Sequence, residues 1–242
     1  MRIVDPNSIY RTVAKAKINR AMYLVDILRK NIPKDFKINR YLDAGGADGT
    51  NAYIFGRELN ANEIWVLDIQ RYQTQYDNVK YIVGDIRALP FENGYFDLVT
   101  AISVIEHVKE RDKAIKECCR VLRPGGLLFI QIPNLKFPVD LHTGMFNPYL
   151  LPSPLRRRYV KAMGHEHWLE HVFKVSPGDI IKEAEAQGCN LVYTERIIYT
   201  EELIPNKLRA IYNLLKRLKV LDVMPLGFVL IFKKLEKCAG GN

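Results

Sequence analysis

Short β-branched runs alternate with amphipathic stretches through the middle of the chain, and this alternation constrains the fold more than any other feature. It is typical of a parallel sheet in which helices connect successive strands. The pattern predicts seven strands, at about 39–44, 63–69, 79–84, 96–102, 126–132, 190–198 and 227–232. We therefore expect an α/β protein with a doubly wound, mostly parallel seven-stranded sheet.

Helical periodicity fills the gaps between these strands. The clearest case is 109–122, where apolar residues recur at spacings of three and four until the sequence Arg-Pro-Gly-Gly at 123–126 ends the helix. We interpret residues 1–38 as an N-terminal helical cap and 39–242 as the main domain. Insertions at about 133–175 and 199–222 belong to the same structural unit.

Composition favours a single elaborated soluble domain, because the chain has 242 residues, of which 48% are hydrophobic and 26% charged. The first residues contain no apolar segment, and the longest apolar stretch near the end is interrupted by Asp222, Pro225 and Gly227. The four cysteines show no CxxC spacing, which favours reduced thiols. The sequence thus predicts a cytoplasmic protein, neither secreted nor membrane-spanning.

A glycine-rich turn, YLDAGGADGT at 41–50, follows the first strand and opens the first helix of the sheet. Glycine lets a ligand approach the backbone closely, and the unpaired N–H groups of a helix start attract electron-rich groups. Asp68 ends the second strand, where a carboxylate commonly binds ribose hydroxyls, and Asp85 ends the third. These features predict a nucleotide-like ligand.

Six blocks of sequence occur together in a characteristic order: LDAGGADG, VLDI, VGDIRALPF, FDLVTAISVIEHV, CRVLRPGG and IPN. In order and spacing they resemble the class I S-adenosylmethionine-dependent methyltransferases, in the small-molecule, type 11-like branch. The resemblance is strong over residues 39–134 and implies a Rossmann-like fold, methyltransferase activity and S-adenosyl-L-methionine as cofactor. The middle glycine of the family's turn is replaced here by Ala47, a mild departure that bears on the local geometry of the turn rather than on cofactor binding.

The resemblance also implies cofactor-binding roles for nine residues: Asp43, Gly45, Gly46, Gly49, Asp68, Ile69, Asp85, Ile86 and Ser103. The glycines would pass under the methionine part, while Asp43 would order the turn and reach the amino group through water. Asp68 would accept both ribose hydroxyls. Asp85, the Ile86 backbone and the Ile69 side chain would contact adenine, and Ser103 would line the methionine end. The alternative for each aspartate is a helix cap or a turn residue.

Histidines supply the candidate general bases, chiefly His107 after the fourth strand and His142 in the long segment after the fifth. The alternatives are a structural role for Glu106 and His107 and a surface position for His142. His167, Glu170 and His171 also spell H-x-x-E-H, an inverted zinc-peptidase pattern. We expect no metal there, and interpret 165–171 as a loop that closes over the ligand site.

The net charge of +9 comes entirely from segments outside 39–132, which predicts an anionic partner. Residues 205–219 form a basic amphipathic pattern that favours either contact with an anionic membrane surface or packing on the protein's own core. We therefore expect a small or lipid-linked anionic acceptor and a cytoplasmic location peripheral to the membrane.

The alternatives are an RNA methyltransferase, a nicotinamide-dependent oxidoreductase and a non-catalytic cofactor-binding protein. The glycine spacing does not fit G-x-G-x-x-G, and ISVIEH replaces the D/N-P-P-aromatic block of nucleic-acid amino methyltransferases.

Overall fold

The computed structural model describes residues 6–73, 76–140, 143–166, 168–201, 204 and 206–236. It contains seven strands: β1 (Arg40–Ala44), β2 (Glu63–Asp68), β3 (Val79–Val83), β4 (Phe96–Ile102), β5 (Leu122–Pro133), β6 (Cys189–Ile197) and β7 (Gly227–Lys234). The described helices are α1 (Pro6–Asn31), α2 (Thr50–Glu58), α3 (Arg111–Val121), α4 (Ser153–Ala162), α5 (Trp168–His171), α6 (Pro177–Glu185), α7 (Asn206–Arg217) and α8 (Val220–Val223).

The strands form one sheet in the order β3-β2-β1-β4-β5-β7-β6. β7 runs antiparallel to both of its neighbours, and the pairs among β1 to β5 are parallel. The predicted doubly wound, mostly parallel seven-stranded sheet is therefore confirmed. The strand order reverses between β1 and β4, and in such sheets ligands bind at the carboxyl ends of the strands at this point.

β5 begins four residues earlier than the sequence pattern predicts. Phe96 pairs with Leu122, but Leu98 pairs with Leu127, so residues 123–126 bulge out of the ladder. A Cβ on Gly126 would lie 2.9 Å from the Arg123 carbonyl oxygen, which explains why a glycine closes this bulge. The Pro-Gly-Gly segment therefore ends α3 as predicted, and it also lies within β5 as a bulge.

Both faces of the sheet are covered by apolar packing. α1 and α2 contribute to the core on one face, and α3 and α6 to the core on the other. On α1 the residues that reach the core recur at helical spacing: Ala21, Leu24, Val25 and Leu28. α1 thus packs directly on the sheet domain, and the division into a cap (1–38) and a main domain stays an interpretation.

Two regions outside the sheet carry the remaining helices. The segment between β5 and α6 holds α4 and α5, with a small apolar cluster of Met145, Val160 and Trp168. The segment between β6 and β7 holds α7 and α8. Among the described residues, none of the helices combines the length and the apolar composition that crossing a membrane requires.

Candidate active site

A cleft of about 610 Å³ lies at the carboxyl ends of β1 to β4, where the strand order reverses. Four short segments that follow these strands contribute to its wall: Gly45 and Ala47 after β1, Ile69 and Gln70 after β2, Gly84 to Arg87 after β3, and Ser103 and Val104 after β4. Glu170, His171 and Phe173, from the end of α5 and just beyond it, line the cleft as well. The cleft therefore brings together segments that are distant in sequence.

The glycine turn is tightly packed against its surroundings. Gly45 has φ +81°, and a Cβ there would come within 2.5 Å of Val104 Cγ2. A Cβ on Gly46 would come within 2.6 Å of Asp43 Oδ2. Gly49 has φ +80° and is the N-cap of α2. Contacts therefore exclude a side chain at Gly45 and Gly46, and the backbone conformation disfavours one at Gly49.

Ala47 occupies the position at which the sequence departs from the usual glycine pattern. It has φ +46°, in the left-handed region that residues with a Cβ rarely adopt. Its backbone N–H donates to Asp68 Oδ2 at 3.0 Å. The turn is thus retained with alanine, at the cost of some backbone strain.

Asp68 connects the glycine turn to the end of β2. Besides the Ala47 N–H, its carboxylate accepts the Gln70 N–H through Oδ1 at 3.2 Å. Each carboxylate oxygen has a second lone pair, so both oxygens can still accept hydrogen bonds from a ligand. Asp68 lines the cleft, as its predicted role requires.

Asp85 also lines the cleft, but it has a partner that the sequence analysis missed. Arg87 Nε donates to both Asp85 oxygens at 3.0 Å, and Arg87 Nη1 donates to Glu110 at 2.8 Å. The hydrogen bonds from Arg87 lower the pKa of the Asp85 carboxyl. Asp85 is therefore held as an oriented anion at the mouth of the cleft.

Two isoleucines are expected to contact adenine, Ile69 through its side chain and Ile86 through its backbone, and they differ in exposure. Ile86 is buried, whereas the Ile69 side chain is 67% exposed and lines the cleft. An aliphatic side chain this exposed, beside two oriented carboxylates, forms an apolar surface that a planar ring can cover. Tyr72 also lines this end of the cleft.

Asp43 lies beneath the glycine turn and does not line the cleft. Thr100 Oγ1 donates to its Oδ1 at 2.6 Å, and Oδ2 has no hydrogen-bond partner among the described residues. Burial raises the pKa of Asp43 to about 7. Asp43 thus supports the turn from below, while the water-mediated contact with the cofactor stays a prediction.

Ser103 lies at the junction between the cleft and a second cavity of about 110 Å³. It has φ +54°. Arg20 Nη2, from α1, donates to Ser103 Oγ at 2.7 Å and to Gln131 Oε1 at 2.8 Å, and Ser103 Oγ also bonds to Gln131. Arg20, Ser103 and Gln131 therefore form a hydrogen-bonded polar cluster that connects α1, the end of β4 and β5.

His107 lines the cleft beyond Ser103. Its Nδ1 lies 2.5 Å from the carbonyl oxygen of His171, and because a carbonyl only accepts, Nδ1 carries the proton. In the neutral ring Nε2 then holds the lone pair that a general base needs. The geometry is compatible with the predicted role of His107, which stays a prediction.

Glu106 precedes His107 and is buried, with neither carboxylate oxygen hydrogen-bonded among the described residues. Burial raises its pKa to about 7, although the nearby positive charge of Arg20 acts in the opposite direction. The other base candidate, His142, lies outside the described residues, as does His167 of the H-x-x-E-H pattern. Among the residues that the structure describes, no group of three or more His, Cys, Asp or Glu side chains could hold a metal ion.

The main residues that sequence reasoning missed are Arg20, Arg87 and Gln131. Gln131 is the one polar residue in the apolar run LLFIQI of β5, and Arg20 directly precedes the inward-facing Ala21 of α1. A polar side chain within an apolar strand, or next to the inward face of a helix, is a signal that could have identified Gln131 and Arg20. Arg87, two residues after Asp85, carried no comparable signal, because its pairing depends on the turn that follows β3.

Comparison with known proteins by sequence points to methyltransferases. A family model described as a methyltransferase domain matches residues 42–130. Malonyl-[acyl-carrier protein] O-methyltransferase from Calditerrivibrio nitroreducens is 24% identical over 200 residues, covering 79% of this chain and 78% of that protein. Ubiquinone biosynthesis O-methyltransferase from Coxiella burnetii is 32% identical over 151 residues, covering 61% of this chain and 58% of that protein.

The solved structures agree in fold. An S-adenosylmethionine-dependent methyltransferase from Mesorhizobium loti superimposes with a TM-score of 0.60 at 16% identity, covering 86% of this chain and 96% of the other. This likeness concerns the fold alone. Together with the sequence matches, it confirms the family resemblance inferred from the six sequence blocks.

Proposed function

We propose that the chain is a class I S-adenosylmethionine-dependent methyltransferase, that it binds S-adenosylmethionine in the 610 Å³ cleft and that it methylates a small or lipid-linked, anionic acceptor. The observation that carries this proposal is the meeting of Asp68, Asp85 and the exposed Ile69 in a single cleft beside the glycine turn. These three side chains match what ribose hydroxyls, an adenine amine and an adenine face require.

The cleft residues fit this cofactor on structural grounds. Asp68 has acceptor capacity left on both oxygens, and Gly45 lines the cleft without a side chain, so that the methionine part would pass close to the backbone. Ile86, one residue beyond Asp85, supplies the backbone N–H for an adenine ring nitrogen. Ser103 marks the methionine end, where the cleft meets the second cavity.

The bound cofactor supplies an activated methyl group on a positively charged sulfur. The acceptor nucleophile would take this methyl group, and the cofactor would be left as a neutral thioether. The protein mainly aligns the acceptor and excludes water. If the acceptor atom carries a proton, His107 Nε2 accepts it; an acceptor that is already anionic, such as a carboxylate, needs no base.

The acceptor class rests on charge and on the relatives. The net charge of +9 comes from segments outside the central sheet residues 39–132. The two relatives described above are named for a malonyl group on an acyl carrier and for ubiquinone biosynthesis. Both names support a small or lipid-linked acceptor over RNA.

A contact with an anionic membrane surface is part of the proposal. The side chains of Ile211 and Leu214 on α7, of Leu218 just after it and of Val223 on α8 are 52%, 55%, 63% and 83% exposed. Exposed lysines and arginines lie beside them: Lys216, Arg217 and Lys219. Apolar side chains flanked by cations favour the surface of a bilayer that contains acidic lipids.

Calorimetric titration with S-adenosylhomocysteine tests the cofactor site. Asp68→Ala removes the carboxylate that accepts the ribose hydroxyls, and we expect it to weaken binding by about 1.5–3 kcal/mol. Asp68→Asn keeps an acceptor for the Ala47 N–H, so it should lose less affinity than Asp68→Ala. Asp222→Ala, an exposed position on α8, is the matched control. Equal affinity in Asp68→Ala and the control would remove Asp68 from the site.

A further inference from the structure

The cofactor cleft belongs to a series of three adjoining cavities. The second cavity, of about 110 Å³, shares Ser103 with the cleft. It shares Val139 and Leu226 with a third, shallow groove of about 20 Å³ that runs along α7. The three cavities thus lie side by side, from the surface of α7 to the methionine end of the cleft.

The groove along α7 is apolar. Leu208, Tyr212 and Leu215 form its side on α7, and Phe137 and Val139 line it from the segment after β5. Among the described residues of this lining, Tyr212 alone has a side-chain polar group, and its hydroxyl already donates to the Tyr199 carbonyl. The groove therefore suits a hydrocarbon chain better than a polar or charged group.

The second cavity, in contrast, is polar at its Ser103 end. Arg20 lines it and places a guanidinium beside Gln131, and Arg20 Nε has no hydrogen-bond partner among the described residues. The Asp140 carboxylate, in the same lining, accepts hydrogen bonds from Thr143 and from Trp168 Nε1. The cation of Arg20 thus favours an anionic or strongly hydrogen-bond-accepting group at this end.

We propose that the acceptor is amphipathic, with an anionic head beside Arg20 in the second cavity and an apolar tail along the α7 groove. This inference rests on the proposed function and specifies its acceptor class. The head would lie next to Ser103, where the cleft ends. The tail would leave the protein at Ile211, which lines the groove and is also part of the exposed apolar surface of α7. An acceptor embedded in a lipid surface can reach the cavity by this route.

Straight-chain carboxylates of increasing length are suitable probes of this path. Hexanoate, octanoate and decanoate are titrated into the full-length protein saturated with S-adenosylhomocysteine. A fully buried methylene contributes about 0.8 kcal/mol, or about a fourfold gain in affinity. Because the groove is shallow, we expect affinity to rise about two- to fourfold for each added methylene.

Substitutions at two residues of α7 with nearly equal exposure distinguish binding in the groove from binding to the general surface of the helix. Ile211 lines the groove, whereas Leu214 does not, and their side chains are 52% and 55% exposed. We expect Ile211→Gln to weaken decanoate binding several-fold and leave hexanoate binding unchanged. Leu214→Gln should change neither. Arg20→Met should weaken all three probes by a similar factor and leave the affinity for S-adenosylhomocysteine unchanged.

Three results would overturn the inference: equal affinity for the three chain lengths, equal effects of Ile211→Gln and Leu214→Gln, or a loss of S-adenosylhomocysteine binding in Arg20→Met. The last result would assign Arg20 to the cofactor. Failure of the wild-type protein to bind S-adenosylhomocysteine would instead contradict the proposed function, and the two failures are therefore distinguishable.

Discussion

Asp43 is buried beneath the glycine turn, with one carboxylate oxygen bonded to Thr100 and the other without a partner among the described residues. Burial of this kind disfavours the charged form and raises the pKa to about 7. The ordinary pKa of an aspartate, which applies in the unfolded chain, is about 3.9. Between these two pH values the folded protein keeps a proton that the unfolded chain has lost.

This difference makes stability depend on pH. The contribution of Asp43 to the free energy of unfolding falls as pH rises from about 4 to about 7, and it is constant above that. We expect Asp43→Asn to remove this slope. Between pH 4 and pH 8 the free energy of unfolding of the variant should therefore rise by on the order of 2–4 kcal/mol relative to that of wild type. Urea denaturation across this range measures it. If the free energies of unfolding of the two proteins depended on pH in the same way, Asp43 would not titrate in this pH range.

Ala47 offers a second test at the residue scale, because its φ of +46° is unfavourable for a residue with a Cβ. Ala47→Gly relieves that strain but increases the entropy of the unfolded chain, so we expect a stability change between zero and a gain of about 1 kcal/mol. Ala44→Gly, in buried β1, is the control and should destabilise. Thermal unfolding compares them, and a clear loss of stability in Ala47→Gly would contradict the strain argument.

At the scale of elements, α7 has two apolar surfaces. Leu208, Tyr212 and Leu215 pack against the core, whereas Leu214 and, just after the helix, Leu218 remain more than half exposed. In the sequence Leu208, Ile211, Tyr212, Leu215 and Leu218 share one helical face, but Ile211 and Leu218 are 52% and 63% exposed. A single periodic pattern cannot specify how far a helix rotates about its axis when it packs.

The exposed surface of α7 leads to a prediction about lipid binding. We expect wild-type protein to bind vesicles containing phosphatidylglycerol, with about 1 kcal/mol for each basic residue near the surface. Salt should weaken this electrostatic contribution to binding, because the Debye length falls from about 10 Å at 0.1 M to about 3 Å at 1 M. The double variant Leu214→Gln/Leu218→Gln should lose any binding that survives salt. Equal sedimentation with neutral phosphatidylcholine vesicles would argue against recognition of acidic lipid.

At the scale of the whole molecule, cofactor binding should stabilise the fold, since the cleft is built from the ends of four strands and exists only in the folded chain. S-adenosylhomocysteine at 100 times its Kd should add about 2.7 kcal/mol to the free energy of unfolding. For a chain of this size that is a rise in Tm of roughly 5–10 °C. NAD at the same concentration is the control. A larger shift with NAD than with S-adenosylhomocysteine would favour the nicotinamide alternative.

The local sequence by itself determined the seven strands, the glycine turn and the positions of Asp68 and Asp85, because each depends on periodicity or on a turn that neighbouring residues specify. The six sequence blocks likewise identified the family. The tertiary structure alone decided which side chains meet across long separations in sequence. Arg20 bonds to Ser103 and to Gln131 at separations of 83 and 111 residues. Such contacts arise from the packing of α1 on the sheet, and no local pattern encodes that packing. The burial of Asp43 and Glu106 and the side-by-side placement of the α7 groove and the second cavity have the same origin.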